Sequence, residues 1–364
     1  MEAIIQIIAL YTLAFLGSVG LIRILRPVAL RLGLVDAPDD RKTHKTNVPL
    51  VGGVAIWIVL AIAFFITRFV FHAQLTGING YFAGASLLVS VGILDDIFEL
   101  PVWFKFFAQA ITALVAVVMG HALIVHLGNI WGMGEVYTGL WAVPFSIFCI
   151  VGVINAFNML DGATGLAGGV ALAALFWFLM FALQTGRTNL STAVMLFASM
   201  LSGFLICNLR NSRRRELAFL GDAGSMLLGF TLAWCAINAS QAPAIALTPA
   251  AALWILGLPV LETVSVMLRR LMHRRSPIAA GRDHLHHLLL AYGWTEPAVV
   301  LGEVLLAFIL GGIGYFGWYD HVRSVELSIG FVVVGICYFI VGDIAWRLIV
   351  QRTIGLKNRN SFLR

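Results

Sequence analysis

Asp95, Asp96 and Glu99 stand together in GILDDIFEL, at the end of an apolar run that begins near Tyr81. Three further stretches hold comparable side chains: NAFNMLDGATGL with Asn155, Asn158 and Asp161, FLGDAGS with Asp222, and GRDHLHHLL with Arg282, Asp283, His284, His286 and His287. Carboxylates and amides without a thiol are hard oxygen ligands, which suit Mg²⁺ or Mn²⁺. The three histidines fall at i, i+2 and i+3 in a basic loop, without the HExxH spacing of a zinc site. Histidine and arginine in such a loop are donors to phosphate oxygens.

These clusters must be positioned by a chain of 364 residues that is 60% hydrophobic and 12% charged, with a mean hydropathy of +0.93. So little charge cannot cover a soluble protein of this length, and the composition is that of a polytopic membrane protein. A helix needs about 20 apolar residues to cross the hydrocarbon core. Eleven stretches qualify: 3–25, 50–71, 80–95, 104–121, 139–157, 166–184, 189–208, 217–238, 246–269, 297–318 and 325–347. No stretch between them is long enough to fold separately, so the expected architecture is one all-α membrane domain over 1–364. The first stretch lacks a small-residue cleavage motif and runs into basic residues, which reads as a retained span rather than a signal peptide. Cys149, Cys207, Cys235 and Cys337 stand singly in apolar runs, so neither a disulfide framework nor a cysteine zinc site is indicated.

Lysine and arginine set the orientation. With the N-terminus outside, the inner regions are about 26–49, 95–104, 155–165, 208–217, 269–297 and the C-terminal tail. Together with the adjoining helix ends they hold 21 of the 24 Lys and Arg, leaving Arg68, Arg187 and Arg323 outside. That bias predicts an N-out, C-in protein, and it accounts for the net charge of +6 without a nucleic acid partner. On this topology the four polar stretches and a fifth, VDAPDDRKTHKTNVPLVGG, all reach the inner face. Carboxylates cost about 2.5–3.5 kcal/mol each at a bilayer centre on insertion scales, so a group of them calls for a divalent cation and basic side chains. Metal, cationic donors and adjacent lipid predict phosphoryl transfer between a nucleotide and a membrane-embedded acceptor. The rival from another class is an ion-coupled transporter, which would carry charges near the midplane on broken helices within internal repeats. Here the charges gather at one face and no repeat is visible.

With these stretches together, the sequence resembles the polyprenyl-phosphate N-acetylhexosamine-1-phosphate transferases, which load a sugar phosphate from a UDP-sugar onto undecaprenyl phosphate. The resemblance spans nearly the whole chain and rests on RKTH…PLVGG, LDDIFE, NAFNMLDGATGL, FLGDAGSMLLG, LPVLETVSVMLRR and RDHLHHLL. It implies Asp222 as the Mg²⁺ ligand with Asn158 assisting. It implies Asp95 and Asp96 beside the phosphates, one of them deprotonating the lipid phosphate, with Asp161 in the same catalytic set. Lys105 and Asn208 match positions near the nucleotide. Arg282, His284, His286 and His287 match the loop that closes over diphosphate and sugar, and Arg41, Lys42 and His44 match the basic loop that meets the lipid phosphate. The HLHH run resembles the branch that uses UDP-N-acetylglucosamine to start surface polysaccharide or teichoic acid synthesis at the bacterial inner membrane. Another UDP-N-acetylhexosamine is the alternative donor, and a homodimer stays open. Two positions depart from the family pattern: Glu99 replaces an aspartate and keeps its charge, whereas Thr164 replaces the second aspartate of a DGxDG pattern and does not.

Overall fold

The computed structural model describes residues 2–36, 47–69, 77–209, 217–242, 246–278, 281 and 283–361. Its helices in chain order are α1 (Glu2–Leu32), α2 (Gly52–Phe69), α3 (Ile78–Phe98), α4 (Val102–Gly120), α5 (Ala142–Leu160), α6 (Leu166–Gln184), α7 (Thr188–Asn208), α8 (Gly221–Ser240), α9 (Pro249–Ile255), α10 (Gly257–Met272), α11 (Leu285–Tyr292), α12 (Glu296–Tyr319) and α13 (Ser324–Ser361). Two short antiparallel hairpins complete the described secondary structure: β1 (Val35–Asp36) with β2 (Val48–Pro49), and β3 (His126–Gly128) with β4 (Val136–Tyr137). The expected all-α, multi-pass architecture holds. Among the described residues nine helices are long and apolar enough to cross a membrane, and α9 with α10 makes a tenth if the pair is one span. α2 falls short of a full crossing over its described length, so nine or ten spans stand among the described residues where eleven stretches were expected.

The ninth stretch, 246–269, was expected to be one continuous span and is not. It bends by 81° between α9 and α10. Pro259 explains the position of the break. A proline has no N–H to offer the carbonyl four residues earlier, and its ring crowds that carbonyl. The residue four before Pro259 is Ile255, the last of α9. The bend turns one face of α10 inward, burying Glu262, Ser265, Val266, Arg269 and Arg270 at helical spacing.

α8 is the central element, buried along almost its whole length, against α2, α3, α5, α6, α7 and α9. Lipid does not drive helices together by the hydrophobic effect, so association depends on close packing and small residues. At the α2–α8 crossing a Cβ on Gly53 would stand 2.2 Å from the Gly224 nitrogen. The GG of PLVGG and the second glycine of GDAGS are therefore two sides of one backbone contact, and it seats the N-terminus of α8 where the acidic residues meet.

Candidate active site

The acidic pair occupies the last turn of α3, which Glu99 closes with φ at +50° and its N–H on the Asp95 carbonyl. Adjacent helical residues point in different directions, and here they serve different neighbours. Asp95 is buried with both oxygens engaged: Oδ1 accepts the Leu100 N–H at 2.8 Å and Oδ2 accepts the Lys105 ammonium at 2.7 Å. Lys105, in the first turn of α4, also lies 3.5 Å from Asp222 Oδ2 and so bridges two carboxylates. Asp96 faces α8, where its Oδ1 accepts the Asp222 N–H at 2.8 Å. α8 has Leu220 at its N-cap and no side-chain cap of its own, so a carboxylate from α3 satisfies a free amide at the positive end of the helix. Asp96 Oδ2 is buried and has no hydrogen-bond partner among the described residues. Gly221 permits the approach: its φ is +69°, and a Cβ there would stand 2.5 Å from Asp96 Oδ2.

α5 contributes from its C-terminal end. Asn158 Nδ2 donates to Asp222 Oδ1 at 3.1 Å and to Ser225 Oγ at 3.0 Å. Asp161 follows α5, and burial, with the charges of Asp222, Asp96 and Asp36 adding to it, pushes its carboxyl up to about 7. The next residues turn through Gly162 to Thr164, whose N–H donates to Glu296 Oε1 at 2.9 Å. A carboxylate from the first turn of α12 thus meets the backbone where Thr164 lacks the family's second aspartate.

The histidine segment comes to the same place on α11. Its approach is held by α10: Arg270 grips Asp283 through Nε at 2.9 Å and Nη2 at 2.7 Å, and Arg269 Nη1 donates to the Asp283 carbonyl at 2.7 Å. Burial alone would raise the Asp283 carboxyl, but the Arg270 contacts outweigh it and hold the group below the usual range. His284 and His286 stack with ring centroids 5.7 Å apart, and His287 lies 4.2 Å from His286. His286 is 1% exposed and rests on the Asp161–Gly162 turn, where a Cβ on Gly162 would stand 2.3 Å from its Nε2. Neither ring nitrogen of His286 has a hydrogen-bond partner among the described residues.

Burial, with His287 and His284 adding to it, lowers the His286 pKa from 6.5 to about 3. A depressed histidine contributes stability that is complete above the unfolded value and is lost as pH falls from 6.5 toward 3. At pH 5 the loss should reach about 2 kcal/mol, at ~1.4 kcal/mol per pKa unit. The raised Asp161 carboxyl acts in the opposite sense over this range, so the test is a difference: between pH 7 and pH 5 the thermal midpoint of His286→Asn should move toward higher stability relative to the wild type. An unchanged pH slope in the variant would remove His286 as its source.

The structure thus brings Asp95, Asp96, Lys105, Asn158, Asp161, Asp222, His284, His286 and His287 to neighbouring helix ends and turns. Asn208 is placed differently from an open donor: it is buried and its Nδ2 donates to the Ala218 carbonyl at 3.0 Å, clamping the end of α7 to the approach of α8. Arg41, Lys42, His44 and Arg282 lie outside the described residues. Glu262, Arg270 and Glu296 had no assigned part in the sequence reading. The LPVLETVSVMLRR stretch was the signal for the first two, since Glu262 and Arg270 repeat at eight residues on one helix face.

Comparison with known proteins points the same way. The model of glycosyl transferase family 4 matches residues 78–240, which include α3 through α8 and the four aspartates. The chain is 34% identical to an undecaprenyl-phosphate alpha-N-acetylglucosaminyl 1-phosphate transferase of Yersinia pestis, over 83% of this chain and 82% of that one. It is 35% identical to the protein of the same name from Escherichia coli (strain K12), over 86% of this chain and 85% of the relative. A probable undecaprenyl-phosphate N-acetylglucosaminyl 1-phosphate transferase of Bacillus subtilis (strain 168) is 29% identical, over 85% of this chain and 84% of its own.

Proposed function

This chain belongs to glycosyl transferase family 4, and from that premise we propose that it transfers N-acetylglucosamine 1-phosphate from UDP-N-acetylglucosamine to undecaprenyl phosphate and releases UMP. The active site faces the cytosol at the bacterial inner membrane, a reading supported by the 21-to-3 distribution of Lys and Arg. The observation that carries the chemistry is the meeting of four aspartates and Lys105 at the ends of α3, α4, α5 and α8. A soluble nucleotide sugar and a lipid phosphate can both reach such a place.

The site suits Mg²⁺. Lys105 pairs with two of the four carboxylates, Asp95 and Asp222, and their oxygens are hard donors. No three His, Cys, Asp or Glu among the described residues form a closed metal site. Mg²⁺ does not require one, because it binds through one or two carboxylates plus waters and substrate phosphates. Asp222, with its side chain 34% exposed, would hold the ion, and Asn158 orients that carboxylate. When bound, the ion supplies charge neutralisation at the diphosphate.

The protein's own groups do the rest. Lys105 fixes Asp95 and Asp222 relative to each other. Asp96 serves as the base rather than Asp95, since both Asp95 oxygens are engaged and Asp96 Oδ2 is not. The second ionisation of a phosphate monoester lies near 6, so the lipid phosphate is mostly deprotonated at neutral pH and Asp96 need take only the remaining proton. The lipid phosphate oxygen then displaces UMP directly at the β-phosphorus, a reaction that depends on position and electrostatics more than on covalent help. His284 and His287 contact the diphosphate and sugar, with His286 as the seat beneath those two rings, and Arg282 is assigned to the same substrate groups by the resemblance alone.

The donor is tested by incubating purified protein with labelled UDP-N-acetylhexosamines and undecaprenyl phosphate, then analysing the lipid. Label should enter lipid from UDP-N-acetylglucosamine, disappear with EDTA and return with Mg²⁺ or Mn²⁺. Label from another sugar instead would change the donor, and full turnover in chelator would remove the cation.

A further inference from the structure

Glu262 lies in the second turn of α10 with 3% of its surface exposed. Three donors converge on its carboxylate. Leu285 N–H reaches Oε1 at 2.7 Å, His284 Nδ1 stands 3.2 Å from the same oxygen, and the Tyr338 hydroxyl donates to Oε2. A buried carboxylate survives only with such partners. They also fix what it does. Leu285 opens α11, and His284 is the N-cap of that helix without a side-chain cap. Glu262 supplies the missing cap from another helix, at the positive end of α11.

We infer that Glu262 is a positioning residue for nucleotide-sugar binding, acting through His284; this rests on the function proposed above. An ionised carboxylate accepts and cannot donate, so the proton beside Glu262 is on Nδ1 of His284. In the neutral ring that leaves Nε2 as an acceptor, which suits a sugar hydroxyl rather than a phosphate oxygen. A second effect follows from the stacking: the His284 ring lies 12° from parallel to His286, and His286 rests on Gly162 beside Asp161. One buried carboxylate on α10 therefore sets the tautomer of His284 and the height of the whole histidine segment over the acidic cluster. Behind metal-bound histidines such orienting partners are worth about 10–100-fold, and the lower end of that range is the scale expected for a substrate-binding ring.

Glu262→Gln is the informative variant. A glutamine has one acceptor oxygen and one donor nitrogen. Its oxygen can keep the Leu285 N–H and its nitrogen can face the Tyr338 oxygen, so α11 stays capped. The same oxygen can still accept from Nδ1–H, but without the charge that strengthens that bond over the competing Nε2–H tautomer. The KM for the UDP-sugar that the wild type uses should rise about 10-fold, while the KM for undecaprenyl phosphate and the thermal midpoint stay near wild type. A merely structural role predicts the reverse: a lower midpoint and both KM values moved together. The tautomer is read directly by ¹⁵N NMR of histidine-labelled protein, with His284→Gln used to assign the signal. Wild-type His284 should show a protonated Nδ1, and Glu262→Gln should redistribute it. A bare Nδ1 in the wild type, or an unchanged donor KM in the variant, overturns the inference. Failure of the wild type to use any UDP-sugar defeats the proposed function instead, and the ¹⁵N signal still decides the contact between Glu262 and His284. If Glu262→Gln does not accumulate, the wild-type ¹⁵N spectrum decides alone.

Discussion

Asp222→Ala is expected to remove at least ~1,000-fold of turnover, about 4 kcal/mol of barrier, and to leave the protein folded in the membrane. The two halves of that expectation come from different atoms. The contact that caps α8 uses the backbone N–H of Asp222, which alanine also has, so Asp96 keeps its 2.8 Å bond. The carboxylate is what faces Asn158 and Lys105, and it is the group that would hold the cation. Initial rates of lipid labelling give the first half, and the elution profile and thermal midpoint of the detergent-solubilised variant give the second. Turnover within tenfold of wild type would mean that the cation is held elsewhere. Loss of the folded protein would mean that the carboxylate, and not the amide, secures α8.

Gly162→Ala should act from the other side of the site, lowering turnover about 100-fold without replacing an ionisable group. The backbone at Gly162 is not among the described left-handed positions, so alanine is free of backbone strain there. The methyl group has nowhere to go: it would stand 2.3 Å from His286 Nε2 and 3.1 Å from Cε1. His286 is boxed in by His284 and His287, and the shift it must make is passed to both. Displacements near 1 Å in groups that position substrate can cost about 100-fold, and overpacking a filled site costs about 1–3 kcal/mol of stability. The measurement is kcat/KM for the nucleotide sugar together with the thermal midpoint. Wild-type values for both would show that the histidine segment does not bear on this turn.

Much of the site was legible because each cluster is short and contiguous, and because acidic residues at the ends of apolar runs are costly without a reason. Asp95, Asp96, Asn158, Asp161 and Asp222 could be gathered from topology alone. The division of labour within the pair was less accessible. Successive residues on a helix diverge, which says that Asp95 and Asp96 have different neighbours but not which. That depended on α4 folding back to put Lys105 against Asp95 and on Asp96 reaching α8, 126 residues later. The resemblance placed Lys105 near the nucleotide, and only the fold adds that two carboxylates flank it. Glu262 stayed without a role for the same reason: its partners His284 and Tyr338 lie 22 and 76 residues away. The bend at Ile255 was hidden by hydropathy, which averages over 246–269 and does not register that Pro259 leaves one carbonyl without its donor. Thr164 read as a lost carboxylate, and the chain supplies one to its amide from Glu296 on a different helix.

The central claim is that a phosphoryl group, and not a bare sugar, moves from nucleotide to lipid at the Asp96–Asp222 junction. The direct measurement uses UDP-N-acetylglucosamine labelled at the β-phosphorus, with purified protein, undecaprenyl phosphate and Mg²⁺ in lipid bilayers. The β-phosphorus label should appear in the lipid, in step with unlabelled UMP in the aqueous phase. Label that stays in the aqueous phase as UDP while the sugar enters the lipid would contradict the account.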